Sequence, residues 1–244
     1  VTSDTARTHW DTERSATLRK LVADARVVLW DFDGPICGLF ARHSARQVAG
    51  DLSRWLGERG LRALLTAAAQ ESDDPHELLR AVGRLHPGSD LIGELEERLT
   101  RQELFATSTA MPTAYADVLI RTWTAVGSRL AITSNNSPRV VRRYLEGRDL
   151  LSCFAPHIYG RTQDLSRLKP DPYCLNRALT AMGAEAGAAV MIGDAPTDFA
   201  AAALIGVPFI GYATSEESLK RLRDAGAEVV VASLEPLLRV LRDS

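Results

Sequence analysis

What most limits the fold of this chain is a change of apolar period along it. Val27 to Trp30, Leu130 to Thr133, Ala188 to Ile192, Val207 to Tyr212 and Val229 to Ala232 are short apolar runs, often β-branched, with His157 to Tyr159 as a weaker sixth. Runs of that length suit strands covered on both faces. Between them, 113–126, 138–146, 172–182, 196–205, 216–225 and 234–242 carry apolar residues at three- and four-residue spacing, as helices with one buried stripe do. Strand and helix in alternation predict an α/β fold with a doubly wound, Rossmann-like parallel sheet. Gly183 and Gly226 fall where two helices should close, and Pro196 where a first helical turn should begin.

The stretch 38–108 breaks the alternation. It has helical periods only: Ala45, Val48, Ala49, Leu52, Trp55 and Leu56, then Leu78, Leu79, Val82 and Leu85, then Leu91, Leu95 and Leu99. We expect a small all-helical insertion there, with 1–37 and 109–244 forming the core. Placed directly after the first strand, it would overhang the carboxyl edge of the sheet, where open α/β folds bind ligands. A role in packing alone is the plainer alternative.

Four groups of residues carry chemistry. Val27-Val28-Leu29-Trp30-Asp31-Phe32-Asp33-Gly34 is a buried strand ending in two acids, and alternation along an extended chain sends Asp31 and Asp33 to one side. Carboxylates that close need a cation between them, or one keeps its proton. Leu130 to Asn135 ends a second strand in Ser134 and Asn135, a hydroxyl and an amide able to bond phosphate oxygens without adding charge. Arg167-Leu168-Lys169-Pro170-Asp171-Pro172 sets one lysine just ahead of two restrictive prolines, and Val190 to Asp198 runs a buried strand into Asp194 and Asp198. Taken singly, each group also reads as a strand end with polar turn residues, a surface lysine, or an acid complementing a helix dipole.

Together, in this order and spacing, the four groups resemble the haloacid dehalogenase superfamily of phosphatases, in its phosphoglycolate phosphatase-like branch with a helical cap between the first two motifs. The resemblance runs over about residues 26 to 212. It implies that Asp31 attacks phosphorus and that Asp33 protonates the leaving oxygen and later deprotonates the hydrolytic water. It also implies Mg²⁺ held by the side chains of Asp31 and Asp194 and the backbone carbonyl of Asp33, with Asp198 close by. Ser134 and Lys169 would hold the phosphoryl oxygens, with Asn135 nearby and Gly34 turning the chain. Hard oxygen donors with retained waters suit that ion, and positioned charge is the main need of phosphoryl transfer. Pro35 stands where the pattern usually has threonine, and Ala195 where it often has a hydroxyl residue; neither removes a reacting group.

Composition narrows the partners. The formal charge is −2, from 29 basic and 31 acidic residues mixed along the chain, with no basic stripe for a nucleic-acid polymer. Cys37, Cys153 and Cys174 are odd in number and widely spaced, and the five histidines lack metal-ligand spacing, so disulfide and zinc frameworks have little support. No signal-like apolar stretch occupies the first two dozen residues, and the uncharged run from Phe199 is broken by Gly206, Pro208 and Gly211, so no membrane span is expected. We therefore expect a cytoplasmic enzyme acting on a small-molecule phosphate ester; monomer and homodimer remain open.

Two rivals stand beside that reading. A sugar-phosphate mutase would keep the same residues and differ in its product. A non-catalytic binding or regulatory protein would keep the fold. A dinucleotide-binding protein is disfavoured because no Gly-x-Gly-x-x-Gly follows any expected strand. For substrate selection we expect Phe40, Arg42 and His43, which follow the first motif, to meet the leaving group.

Overall fold

The computed structural model describes residues 15–61, 65 and 72–243. Residues 1–14 and 244 of the expected core, and 62–64 and 66–71 of the expected insertion, lie outside the described residues. In chain order the strands are β1 (Val27–Trp30), β2 (Cys37–Gly38), β3 (Met111–Pro112), β4 (Arg129–Thr133), β5 (Ile158–Tyr159), β6 (Ala189–Gly193), β7 (Phe209–Tyr212) and β8 (Val230–Val231). After helical residues 15–24 come α1 (Ala45–Glu58), α2 (Pro75–Leu85), α3 (Asp90–Thr107), α4 (Ala116–Ala125), α5 (Pro138–Gly147), α6 (Leu151–Phe154), α7 (Tyr173–Met182), α8 (Pro196–Leu204), α9 (Glu216–Asp224) and α10 (Glu235–Arg242).

Six strands form one parallel sheet in the order β5-β4-β1-β6-β7-β8. Alternation along each strand feeds two cores. Val28 and Trp30 of β1, with Leu130 and Ile132 of β4 and Val190 and Ile192 of β6, pack under α4, α5 and α10. Val27, Leu29, Ala131, Ala189 and Met191 face the other way, under α7, α8 and α9. Both faces are thus covered, which explains why the strands read as unbroken apolar runs. The strand order reverses at β1, and the crevice that opens at such a switch point is where this architecture places its ligand.

Register levels the strand ends. Trp30 pairs with Ile132 on one side and Ile192 on the other, so the residues that follow them reach one rim together. Helix ends follow local chemistry: Gly183 takes a left-handed conformation (φ 56°) at the end of α7, and Pro196 opens α8. The expected helix 113–126 begins only at Ala116. Upstream, the backbone is already in use, because β3 pairs antiparallel with β2 and the Thr113 N–H donates to the Ile36 carbonyl at 3.0 Å.

Helices α1, α2 and α3 bury Leu52, Trp55, Leu56, Leu78, Leu79, Val82, Leu95 and Leu99 in a third core of their own. That core takes in Leu165 and Leu168, which belong to the loop just before Lys169. Among the described residues, no helix is long and apolar enough to cross a membrane.

Candidate active site

Asp31 is the first residue past β1, and its N–H continues the ladder by donating to the Ile192 carbonyl at 2.8 Å. Two residues on, Asp33 accepts from the Leu39 N–H at 2.8 Å. Burial pushes the Asp33 carboxyl up to about 7, the Leu39 bond opposing and the neighbouring Asp31 adding to the rise. Between these acids and β6 the chain turns at Gly34, whose φ of 103° favours glycine. A Cβ at that position would strike the carboxyl group of Asp194, so the missing side chain also allows two motifs to approach.

Lys169 is buried to 1% exposure and has every donor occupied. Its Nζ donates to Asp31 Oδ1 and the Thr133 carbonyl at 2.9 Å each and pairs with Asp198 Oδ1 at 2.5 Å. An ammonium group has three N–H bonds, and three acceptors surround this one. Burial alone would lower its pKa, but the carboxylates of Asp198 and Asp31 hold it above the usual lysine range. The other Asp198 oxygen accepts from the N–H groups of Asp194 and Ala195, both at 3.1 Å. Asp198 is thus a bracket that ties the lysine to the turn after β6.

The turn after β4 is equally ordered. Ser134 Oγ donates to Asn136 Oδ1 at 3.0 Å and accepts from the Asn136 N–H at 3.2 Å. Asn135 grips the backbone of Lys169: its Oδ1 accepts from the Lys169 N–H at 2.8 Å and its Nδ2 donates to the Lys169 carbonyl at 3.3 Å. Asp31, Asp33, Ser134, Asn135, Lys169, Asp194 and Asp198 all line one cavity of about 150 Å³.

The acids are crowded. Asp31, Asp194 and Asp198 each place an oxygen within 4.8 Å of the others'. Burial, and then the charges of Asp31 and Asp198, push Asp194 well above the usual carboxylate range. Burial likewise raises Asp198, to about 6, against the pull of Lys169. One ammonium group does not neutralise this set, and oxygen donors at that spacing fit a small hard divalent cation.

Residues 25–206 match the family model for haloacid dehalogenase-like hydrolases. The chain belongs to that family. It is 29% identical over 211 residues to the phosphoglycolate phosphatase of Rhodospirillum rubrum, covering 81% of this chain and 84% of the relative. Among solved structures, CbbY from Rhodobacter sphaeroides in complex with phosphate superposes with a TM-score of 0.65 at 18% identity, covering 89% of this chain and 99% of that one. A haloacid dehalogenase family hydrolase from Deinococcus radiodurans, with bound phosphate and sodium, gives 0.59 at 24% identity over 91% and 96% of the two chains. Within the haloacid dehalogenase-like hydrolases the chain is an enzyme of the phosphatase kind.

Phe40, Arg42 and His43, expected to meet the leaving group, do not line the cavity, and Phe40 packs against the hydrophobic cores instead. Arg42 is exposed, and His43 Nε2 pairs with Gln102 Oε1 at 3.0 Å while its ring packs edge-on against Phe105. The cavity wall is instead built by Asp74, His76 and Arg80. Asp74 caps α2 by accepting from the His76 N–H at 2.8 Å, with Pro75 next in the first turn. Burial alone would lower His76, but hydrogen bonds to Asp74 and Glu103 raise it to about 9, so it meets the cavity as a cation.

Behind His76 lies a buried ion pair that composition does not announce. Arg161, just past β5, donates to both carboxylate oxygens of Glu103 on α3 and to the Asn135 carbonyl, at 2.9 Å each. A signal for it exists in the sequence. Leu95, Leu99 and Glu103 recur every four residues along α3, which sets an acid on the buried stripe and requires a cation opposite.

Proposed function

We propose that this chain is a magnesium-dependent phosphomonoesterase that hydrolyses a small phosphorylated metabolite through an aspartyl-phosphate on Asp31. The observation that carries the reading is the meeting of Asp31, Asp33, Lys169 and Asp194 around one cavity at the switch point of the sheet. Asp31 and Asp194 would hold the ion together with the Asp33 backbone carbonyl. When bound, Mg²⁺ offsets the repulsion between the anionic nucleophile and the anionic ester.

The protein's own groups divide the work. Lys169 and the Ile192 carbonyl fix Asp31, which attacks phosphorus as the ester P–O bond breaks. With its pKa near 7, Asp33 can hold a proton at neutrality and give it to the departing oxygen. It then takes a proton from the water that attacks phosphorus and frees Asp31, and phosphate leaves. Ser134 stands at the cavity to meet a phosphoryl oxygen. Helices α1 to α3 act as a cap, their wall offering His76 and Arg80 to the leaving group.

The size and charge of that wall favour a short ester with a further anionic group, the class to which the substrate of the Rhodospirillum relative belongs. Phosphate release from a panel of phosphorylated metabolites, with and without Mg²⁺, tests the proposal. We expect metal-dependent turnover that Asp31→Asn abolishes. Turnover persisting in Asp31→Asn, or an isomerised ester as product, would overturn it.

A further inference from the structure

Arg80 borders two cavities at once. On one side it lines the catalytic cavity of about 150 Å³. On the other it lines a groove of about 430 Å³ with Gly83, Leu165, Leu168, Pro170 and Leu204. The guanidinium is held in place between them. Nη1 donates to the Lys169 carbonyl at 2.9 Å, and Nη2 lies 3.5 Å from Glu77 and 3.7 Å from Asp74. Only 15% of the side chain is exposed.

The backbone beside it is equally close-fitting. Gly83, one turn further along α2, sits so near the loop before Lys169 that a Cβ there would lie 2.9 Å from Leu165 Cβ. Leu165 and Leu168 in turn belong to the core of α1 to α3. Helix and loop therefore meet at Gly83 with Leu165 and at Arg80 with the Lys169 carbonyl, and Arg80 is the one residue that lines both cavities.

We infer that Arg80 is the partition that limits leaving-group size, and that the apolar groove behind it is closed to substrate while the guanidinium is in place. The inference rests on the phosphatase reading for its substrate. Pockets for drug-sized ligands run to roughly 300–1,000 Å³, and the catalytic cavity, at about 150 Å³, is the size for a short leaving group. Without the guanidinium it merges with the groove, whose leucine and proline walls receive an apolar aryl group.

The test compares two esters and two inert analogues. Phosphate release from a short alkyl phosphate and from 1-naphthyl phosphate is measured in the parent protein and in Arg80→Ala. Calorimetric binding of inorganic phosphate and of 1-naphthylphosphonate, in Mg²⁺, follows the same pair of proteins without needing turnover. In Arg80→Ala the preference should move towards the naphthyl compounds by about tenfold or more in both ratios, the kinetic gain lying in KM. Arg80→Met, which keeps the bulk, should leave the ratios near parental values.

Leu204→Trp, which fills the groove from its exposed rim, should reverse the shift in Arg80→Ala and change nothing alone. A uniform fall in kcat with unchanged ratios would mean that Arg80 merely steadies Lys169, and the partition would be wrong. If the parent released no phosphate while binding still shifted, the partition would stand and the phosphatase reading would fall.

Discussion

Glu103 and Arg161 meet as a two-pronged ion pair, each prong 2.9 Å long, with neither side chain reaching water. One acid on α3 thereby joins the helical segment to the edge of the sheet. Breaking a buried pair from one side leaves a charge uncompensated, at a cost of roughly 3–5 kcal/mol. Glu103→Gln should lose about that much in urea unfolding. A loss below about 1 kcal/mol would show that the pair is not what holds the two parts together.

The same cluster sets a pH window. Burial would raise Glu103, but Arg161 and His76 bring it from 4.5 down to about 2, so its contribution is complete above 4.5 and fades as pH falls towards 2. His76 is raised from 6.5 to about 9, so its contribution is complete below 6.5 and fades as pH climbs through 9. Subtracting the Tm–pH curve of His76→Gln from that of the parent should leave a difference that shrinks between pH 6.5 and 9. A flat difference across that interval would contradict the assignment.

Asp33→Asn separates proton donation from attack. The variant keeps the Leu39 hydrogen bond but has no proton to give. Initial rates of phosphate release should fall by about 10²–10⁴ for alkyl esters, whose leaving oxygen needs a proton. For an aryl ester with an acidic phenol the loss should be far smaller. Equal losses on both would remove Asp33 from the proton-transfer step.

Asp198→Asn probes the bracket between Lys169 and the turn after β6. The amide keeps one acceptor and loses the charge that faces Lys169. Supporting residues behind metal ligands typically change metal affinity by about 10–100-fold, so half-maximal activity should require correspondingly more Mg²⁺. Unchanged Mg²⁺ dependence with a lower kcat would place Asp198 with the lysine alone.

Much of the fold was legible because both faces of the sheet are covered. Val27 to Trp30 and Val190 to Ile192 had to be continuously apolar, and the structure pairs them as neighbours. Asp31, Asp33, Lys169 and Asp194 are legible because each stands at the end of such a strand or just ahead of two prolines. The cavity wall was harder to see. His76 and Arg80 share the polar face of an ordinary amphipathic helix, and only the docking of α2 on the Lys169 loop shows that this face meets the site. Arg42 and His43 are close to Asp33 in sequence but do not line the cavity, because the chain turns at Gly34 between them.

The chain departs from the sheet at Cys37–Gly38 and comes back at Met111–Pro112, and these two short strands are hydrogen-bonded to each other. Exit and re-entry are therefore next-door neighbours, and everything between them can be regarded as a cassette. Recombination at that seam could graft a different roof onto the same ester-splitting machinery with no gap to bridge. The graft would have to supply an acid where Glu103 now meets Arg161 and an apolar face to cover Leu165 and Leu168.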